Sequence, residues 1–266
     1  MHALARLLDR LVLAALIVLA LLWVAPVLSI IGLSLKPNEL LVPFTLRNYP
    51  DAVTQTPLLR WMLHSTVVAI WQTLLTLAVA SLAGYGFART NFPGKRALYF
   101  LVLAALLVPQ AATIVPLHTM FAAAGLHNTY LALILPRLAW PFGVLLMTQH
   151  FKTISPELEE AALLDNAPRF LVFWRIVLPL SVPALVALGV YTFIGAWNDF
   201  FWPLVSATDP DIYTLTVGIA SLQMGPATGG IGIALAQAVV GALPMVVFYL
   251  FFRRHVLTAI SGWAAA

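Results

Sequence analysis

Apolar residues gather into six long runs along this chain, at roughly 11–34, 62–87, 97–121, 129–151, 180–205 and 231–252. Polar and charged positions fall mostly in the gaps between them. A helix needs about 20 apolar residues to cross a bilayer, and each run supplies them. The pattern therefore predicts an all-α, polytopic membrane protein with six transmembrane helices. The third and fourth runs have the least regular boundaries, because Pro109, Pro116, Pro136 and Pro141 interrupt them. Membrane helices tolerate such prolines where neighbouring groups or cavity water satisfy the freed carbonyls. They read either as ordinary kinks or as the helix breaks that line solute paths.

Composition agrees with a lipid environment. Of the 266 residues, 62% are hydrophobic and 9% charged, with a mean hydropathy of +0.95. Soluble domains carry about a quarter charged residues. There is no cysteine, so disulfides and thiolate metal sites are excluded. His64, His118 and His150 have no metal-ligand spacing and read as structural. The net charge of +4 does not indicate nucleic-acid binding, because the basic residues sit at the ends of apolar runs. The first run is too long for a cleavable signal and ends in Leu33-Ser34-Leu35-Lys36, so it reads as a retained helix.

Lys and Arg placement sets the expected topology. Arg6, Arg10, Arg89, Lys95, Arg96, Lys152, Arg169, Arg175, Arg253 and Arg254 fall on one side; Lys36, Arg47 and Arg60 fall on the other. The ratio of ten to three puts both termini, and segment 152–178, in the cytoplasm. The fifth connection, 206–230, is rich in Gly and Pro, carries Asp209 and Asp211, and reads as an ordered external loop. The chain divides into 1–60, a first membrane helix and external loop; 61–252, the transmembrane core; and 253–266, a cytoplasmic tail. No internal repeat stands out.

The longest polar stretch between helices is Ser155–Pro183. Ser155 can cap a helix, and Pro156 fits its first position. Glu157, Glu159 and Glu160 favour the positive end of the helix dipole. Leu158, Ala161, Ala162 and Asp165 fall at i, i+3, i+4 and i+7 and share a face. The small Ala161 and Ala162 let another surface approach closely. Asn166 tolerates the left-handed conformation at a helix end. A short helix, a sharp turn and a second short helix are expected. On these grounds alone the segment is either an interfacial connector or a docking element.

The residues of this segment match a known pattern: E-A-A, two residues, D-G-A, a spacer and I-x-L-P. Here it stands as Glu160-Ala161-Ala162, Asp165-Asn166-Ala167 and Ile176-Val177-Leu178-Pro179. It resembles the EAA loop of binding-protein-dependent ABC importer permeases, with Asn166 where the family has glycine. Three further stretches are similar to the carbohydrate-uptake branch of that family, and to its second (shorter) maltose permease subunit. They are Gly84-Tyr85-Gly86-Phe87-Ala88-Arg89 before the turn at 92–94, Asn128-Thr129-Tyr130, and Phe193-Ile194-Gly195-Ala196-Trp197-Asn198-Asp199-Phe200. The tail resembles the family only loosely.

The resemblance implies a type I ABC importer (MetI-like) permease fold with a cytoplasmic coupling helix, in the cell's inner membrane. It implies ATPase-coupling roles for Glu160, Ala161, Ala162, Asp165 and Asn166. Glu160 would meet the ATPase surface, while Asp165 and the turn hold the loop's shape. The implied partners are a second permease subunit, two copies of a cytoplasmic ATP-binding subunit and an external solute-binding protein. The chain would carry no cofactor of its own, ATP and Mg being bound by the partner. Indeed Gly94-Lys95-Arg96 lacks both the earlier glycine and the following Ser or Thr of a phosphate-binding loop. The chain is thus expected to be a transporter subunit rather than an enzyme.

Sugar sites combine aromatic faces with hydrogen-bonding groups. Trp197, Asn198, Asp199 and Trp202 form such a cluster and are the candidates for the substrate path. A carboxylate within a span is a functional-site candidate. Alternatively, Asp199 lies at the outer interface with the tryptophans in an aromatic belt. Arg137 either pairs with a carbonyl or lines the cavity; Gln149 and Gln237 read as helix–helix glue. The expected cargo is a sugar or sugar-like solute. The same importer class acting on a glycerol phosphate or other polyol derivative stays open, as does, more distantly, a secondary transporter. An intramembrane enzyme would need motifs absent here, such as H-E-x-x-H.

Overall fold

The computed structural model describes residues 2–36, 44–224 and 230–264, with side chains over 9–36, 44–222 and 230–253. Among these residues all regular secondary structure is helical. In chain order the helices are α1 (His2–Ser34), α2 (Asn48–Thr54), α3 (Leu58–Arg89), α4 (Lys95–Ala105), α5 (Gln110–Ala123), α6 (Tyr130–Ile134), α7 (Pro141–Thr153) and α8 (Pro156–Leu164). They continue as α9 (Arg169–Val172), α10 (Leu178–Leu180), α11 (Val182–Trp197), α12 (Phe201–Ser206), α13 (Leu215–Met224) and α14 (Ile231–Ala264). A 3₁₀ turn, Leu135–Arg137, extends α6, and a π-helical segment, Phe173–Val177, joins α9 to α10.

Three stretches are long and apolar enough to cross a membrane unbroken: Asp9–Ser34, Leu58–Arg89 and Ile231–Arg253. Three more arise as bent pairs: Lys95–Ala105 with Gln110–Ala123 at 103°, Tyr130–Arg137 with Pro141–Thr153 at 47°, and Arg169–Leu180 with Val182–Trp197 at 75°. Counting each pair as one span gives up to six. Two of these bends fall where prolines interrupt the apolar runs, since proline removes a donor and clashes with the preceding turn. Pro109 precedes α5, and Pro141 opens α7.

Two expectations need correction. The fifth run does not stay helical to 205. Its helix stops at Trp197, Asn198 to Phe200 break it, and α12 follows separately. The connection 206–230 is not merely a loop, since it contains the 3₁₀ turn Pro210–Ile212 and the ten-residue α13. Leu215, Val217, Ile219, Ala220 and Leu222 are apolar enough to pack as a helix, and the surrounding Gly and Pro obscure this in the sequence.

The described residues form two compact units. One comprises Met1–Leu59 and Gly218–Leu243. Its polar hub is Asn48, which donates from Nδ2 to the carbonyls of Ser34 (2.7 Å) and Lys36 (2.9 Å). Tyr49 and Ser34 hydroxyls meet at 2.8 Å. Gly232 sits so close to Asn48 and the Lys36 carbonyl that a Cβ there would collide with both. Buried Gln237 donates to Thr56 at 3.1 Å, the helix-gluing role its sequence context suggests.

The other unit comprises Arg60–Val217 and Pro244–Ala266. Its core gathers Ala80, Met147, Phe151, Val172, Phe173, Val177 and Leu188. Within it α3 and α7 cross closely because each brings a glycine to the crossing. A Cβ on Gly84 would lie 2.8 Å from that of Met147, and one on Gly143 would lie 3.2 Å from that of Ala80. Close backbone approach through small residues is how membrane helices associate where the hydrophobic effect gives little drive. The Asn128-Thr129-Tyr130 stretch acquires a local reason here. Thr129 caps α6 by accepting from the Ala132 amide at 3.2 Å. Asn128, at φ 59°, accepts from the amides of Thr208 (2.7 Å) and Asp209 (2.9 Å).

Candidate functional site

The segment after α7 folds as the sequence predicts. Ser155 is extended, Pro156 opens α8, and Glu157 and Glu159 lie in its first turn. Ser155 occupies the N-cap position, but its side chain makes no capping hydrogen bond. The far end is closed by a Schellman turn. Ala167 N–H donates to the Ala162 carbonyl (3.1 Å) and Asn166 N–H to that of Leu163 (3.0 Å). Asn166 has φ 57°, the left-handed geometry that glycine adopts freely and asparagine tolerates best among the others. Pro168 then starts α9 in extended conformation.

The helix is not free-standing. Ala162, Leu163 and Ala167 pack against the core formed by α3, α7 and the π segment. Its main polar anchor is Glu159, which is buried. Its Oε1 lies 2.6 Å from Arg89 Nε, and its Oε2 accepts from the Tyr85 hydroxyl at 3.0 Å. Arg89 also donates to the Ile154 carbonyl. Tyr85 packs on Phe173 (ring centroids 4.9 Å apart) and edge-on to Phe151 (6.0 Å). Glu159, Tyr85 and Arg89 thus pin the first turn of α8 to the end of α3.

The next residue faces the other way, because successive helical side chains are about 100° apart. Glu160 is exposed, as are Ala161, Asp165 and Asn166, while Ala162 is half-buried. The outward surface is also apolar: Leu158 is 50% exposed, Leu164 84% and Phe170 69%. The expected face of Leu158, Ala161, Ala162 and Asp165 is therefore divided, with Ala162 turned to the core. In the sequence Glu159 stands as one of three acids at a helix start, and its anchoring contact is not spelled out there. The signal was present, since Glu159 precedes Ala162 and Leu163 by three and four residues and shares their inward face.

The substrate-path candidates are only partly brought together. Asp199 pairs with Arg137 at 3.1 Å, with the two side chains 11% and 31% exposed. Trp202 is buried and donates from Nε1 to the Ala132 carbonyl at 2.7 Å. Trp202 and Arg137 line a cavity of ≈ 410 Å³, together with Gln110, Thr113 and Trp140. Trp197 is buried and stacks on Phe193 (6.1 Å), and Asn198 is exposed at the end of α11. Neither lines that cavity. Arg137 lines the cavity, one of the two roles its sequence context suggests, and also pairs with Asp199 at the break in the fifth run, a partner the sequence does not indicate.

Comparison with known proteins identifies the family and the fold. The family model for "binding-protein-dependent transport system inner membrane component" matches residues 76–258, more than half of the chain. A probable ABC transporter permease of Pyrococcus horikoshii is 32% identical over 255 residues, covering 91% of this chain and 92% of that protein. An arabinooligosaccharide transport system permease of Halalkalibacterium halodurans is 31% identical, covering 91% of each chain. Among solved structures, a bacterial ABC transporter involved in import of the acidic polysaccharide alginate superposes with a TM-score of 0.82 at 18% identity, covering 94% of this chain and 96% of that one.

Proposed function

The chain belongs to the family of binding-protein-dependent transport system inner membrane components, as a multi-pass permease subunit of an ABC importer and not an enzyme, and from that premise we propose that its cargo is a sugar or oligosaccharide. The arabinooligosaccharide permease among its relatives supports that cargo class. Trp140, Trp202, Gln110, Thr113 and Arg137 around one cavity supply the aromatic and hydrogen-bonding groups such a solute needs.

We further propose that Pro156–Ala167 is the coupling helix, gripped by a cytoplasmic ATPase. One observation carries this reading. Glu159 is tied inward to Arg89 and Tyr85, while Glu160 stands exposed, as do Leu158, Leu164 and Phe170 elsewhere on the segment. The inner tie fixes the helix to the bundle, and the outer face is left for a partner. Ala161, Asp165 and Asn166 lie on that outer side and shape its approach. The ten-to-three distribution of basic residues supports cytoplasmic termini and a cytoplasmic position for this helix. The full assembly would be this chain with a second permease subunit, two ATPase copies that bind ATP and Mg, and an external solute-binding protein. Closure of the ATPases would draw the coupling helices together and drive alternating access.

The test is Glu160→Lys in the intact importer reconstituted into vesicles. The variant complex should assemble in the membrane, while solute-stimulated ATP hydrolysis and uptake fall more than tenfold. Stimulated hydrolysis at the wild-type rate would remove the coupling role from Glu160. Proteins recovered with the wild-type chain identify the partners, and sugar binding by the recovered external subunit fixes the cargo.

A further inference from the structure

Beside the anchored loop, a second cavity of ≈ 680 Å³ lies between the start of α4 and the ends of α3 and α7. It is lined by Lys95, Arg96 and Lys152, with no carboxylate in its wall. Among the described residues, none of these three cations takes part in an ion pair. Lys95 Nζ donates to the Thr90 carbonyl (2.7 Å), and Lys152 Nζ lies 5.6 Å from the centroid of the Tyr99 ring. These contacts orient the cations without neutralising them. The back wall is aromatic, with Phe87 5.1 Å from Tyr99 and 6.0 Å from Phe92 between ring centroids. One turn further along α4, the surface becomes wholly apolar: Leu98, Phe100 and Leu101 are 48%, 68% and 63% exposed.

The position explains the chemistry. Arg89 ends a 32-residue helix, and Lys95 begins an apolar one. The cavity therefore lies where a hydrocarbon surface gives way to the polar interface. Uncompensated cations in such a place attract anionic groups, and basic pockets between membrane helices bind phosphorylated head groups. We propose that this cavity is an anion site for a phosphate group, with Lys95, Arg96 and Lys152 supplying the charge and the exposed apolar flank of α4 available to an acyl chain. The site rests on the membrane location of the chain and is independent of the coupling role proposed for α8.

The experiment titrates the purified full-length chain in detergent with phosphatidylglycerol, phosphatidylcholine or inorganic phosphate, and reads bound species by native mass spectrometry. Phosphatidylglycerol should be retained at least tenfold better than phosphatidylcholine. Each basic residue near an anionic surface contributes about fivefold. Lys95→Gln/Arg96→Gln/Lys152→Gln should thus lose on the order of a hundredfold, and Arg96→Gln alone about fivefold. Arg96 is exposed, so its variant tests the site even if the triple variant fails to fold. Displacement of the lipid by inorganic phosphate would assign the site to free phosphate, and retention against it would assign the site to a lipid head group. Equal binding of both lipids with no phosphate bound would overturn the proposal. So would an unchanged preference in the folded variants.

Discussion

Replacing Arg89 by Met isolates the contact that holds α8 to the bundle. The side chains of Arg89 and Glu159 are 13% and 9% exposed, so both charges are largely withdrawn from water. Removing one member of a buried pair costs about 3–5 kcal/mol, because the other charge is left uncompensated. Glu159 would keep the Tyr85 hydroxyl at 3.0 Å, which places the loss near the lower end, at about 3 kcal/mol. If that energy sets the opening of α8, its amides should exchange roughly 150-fold faster with deuterated solvent. The amides of Asn166 and Ala167, bonded in the closing turn, report it directly. Exchange of a peptide spanning 156–168, read by mass spectrometry, supplies the measurement. Arg89→Met/Glu159→Leu should recover most of the protection, since no buried charge is then unpaired. Arg89→Lys should fall between, having the charge without the planar fork. Less than about a fivefold change in the single variant, or a double variant as labile as the single, would refute the anchoring argument.

Other sites give sharp contrasts. Gly84→Ala puts a Cβ 2.8 Å from that of Met147 and 3.0 Å from the Thr148 backbone nitrogen, and should cost about 1–3 kcal/mol as a lower melting temperature. Gly86→Ala, with nothing within 4 Å, should leave melting unchanged or raise it. Asn166→Gly should preserve the turn at φ 57°, whereas Asn166→Val should cost about 1–2 kcal/mol and make 164–168 more sensitive to protease. Arg137→Met should destabilise the complex by stranding Asp199 and should lower uptake, and Arg137→Met/Asp199→Leu should restore melting but not uptake.

The sequence yields the spans because an apolar run of bilayer length has few alternatives. It also yields the turn at Asn166, because few residues tolerate that geometry. The break at Asn198 to Phe200 was obscured because Phe200, Phe201 and Trp202 keep the run hydrophobic while the backbone leaves the helix. The two ion pairs were hidden for a different reason. Arg89 and Glu159 are 70 residues apart, Arg137 and Asp199 are 62 apart, and nothing local pairs one with the other. Glu159 and Glu160 are chemically identical neighbours, and tertiary packing alone decides which is sunk against Arg89 and which is left exposed.

That division has a mechanical consequence for the coupling role proposed above. A helix joined to the bundle only through its backbone would pivot on the residues flanking Pro156 and Ala167, and a push from outside would be lost in those joints. Under that proposal the push would enter on the side of Glu160 and leave through Glu159 into α3. The small-residue crossing at Gly84 and Gly143 commits α7 to the same body. Thirteen residues before Arg89, Thr76 donates to the Arg137 carbonyl at 3.3 Å, so α3 reaches about 20 Å from the anchor to the cavity wall. The bends lie elsewhere, between α4 and α5, between the 3₁₀ turn and α7, and at Ser181. Displacement of α8 would therefore carry α3 and α7 as a unit and be taken up at those three joints, one of which carries Arg137 and its hold on Asp199.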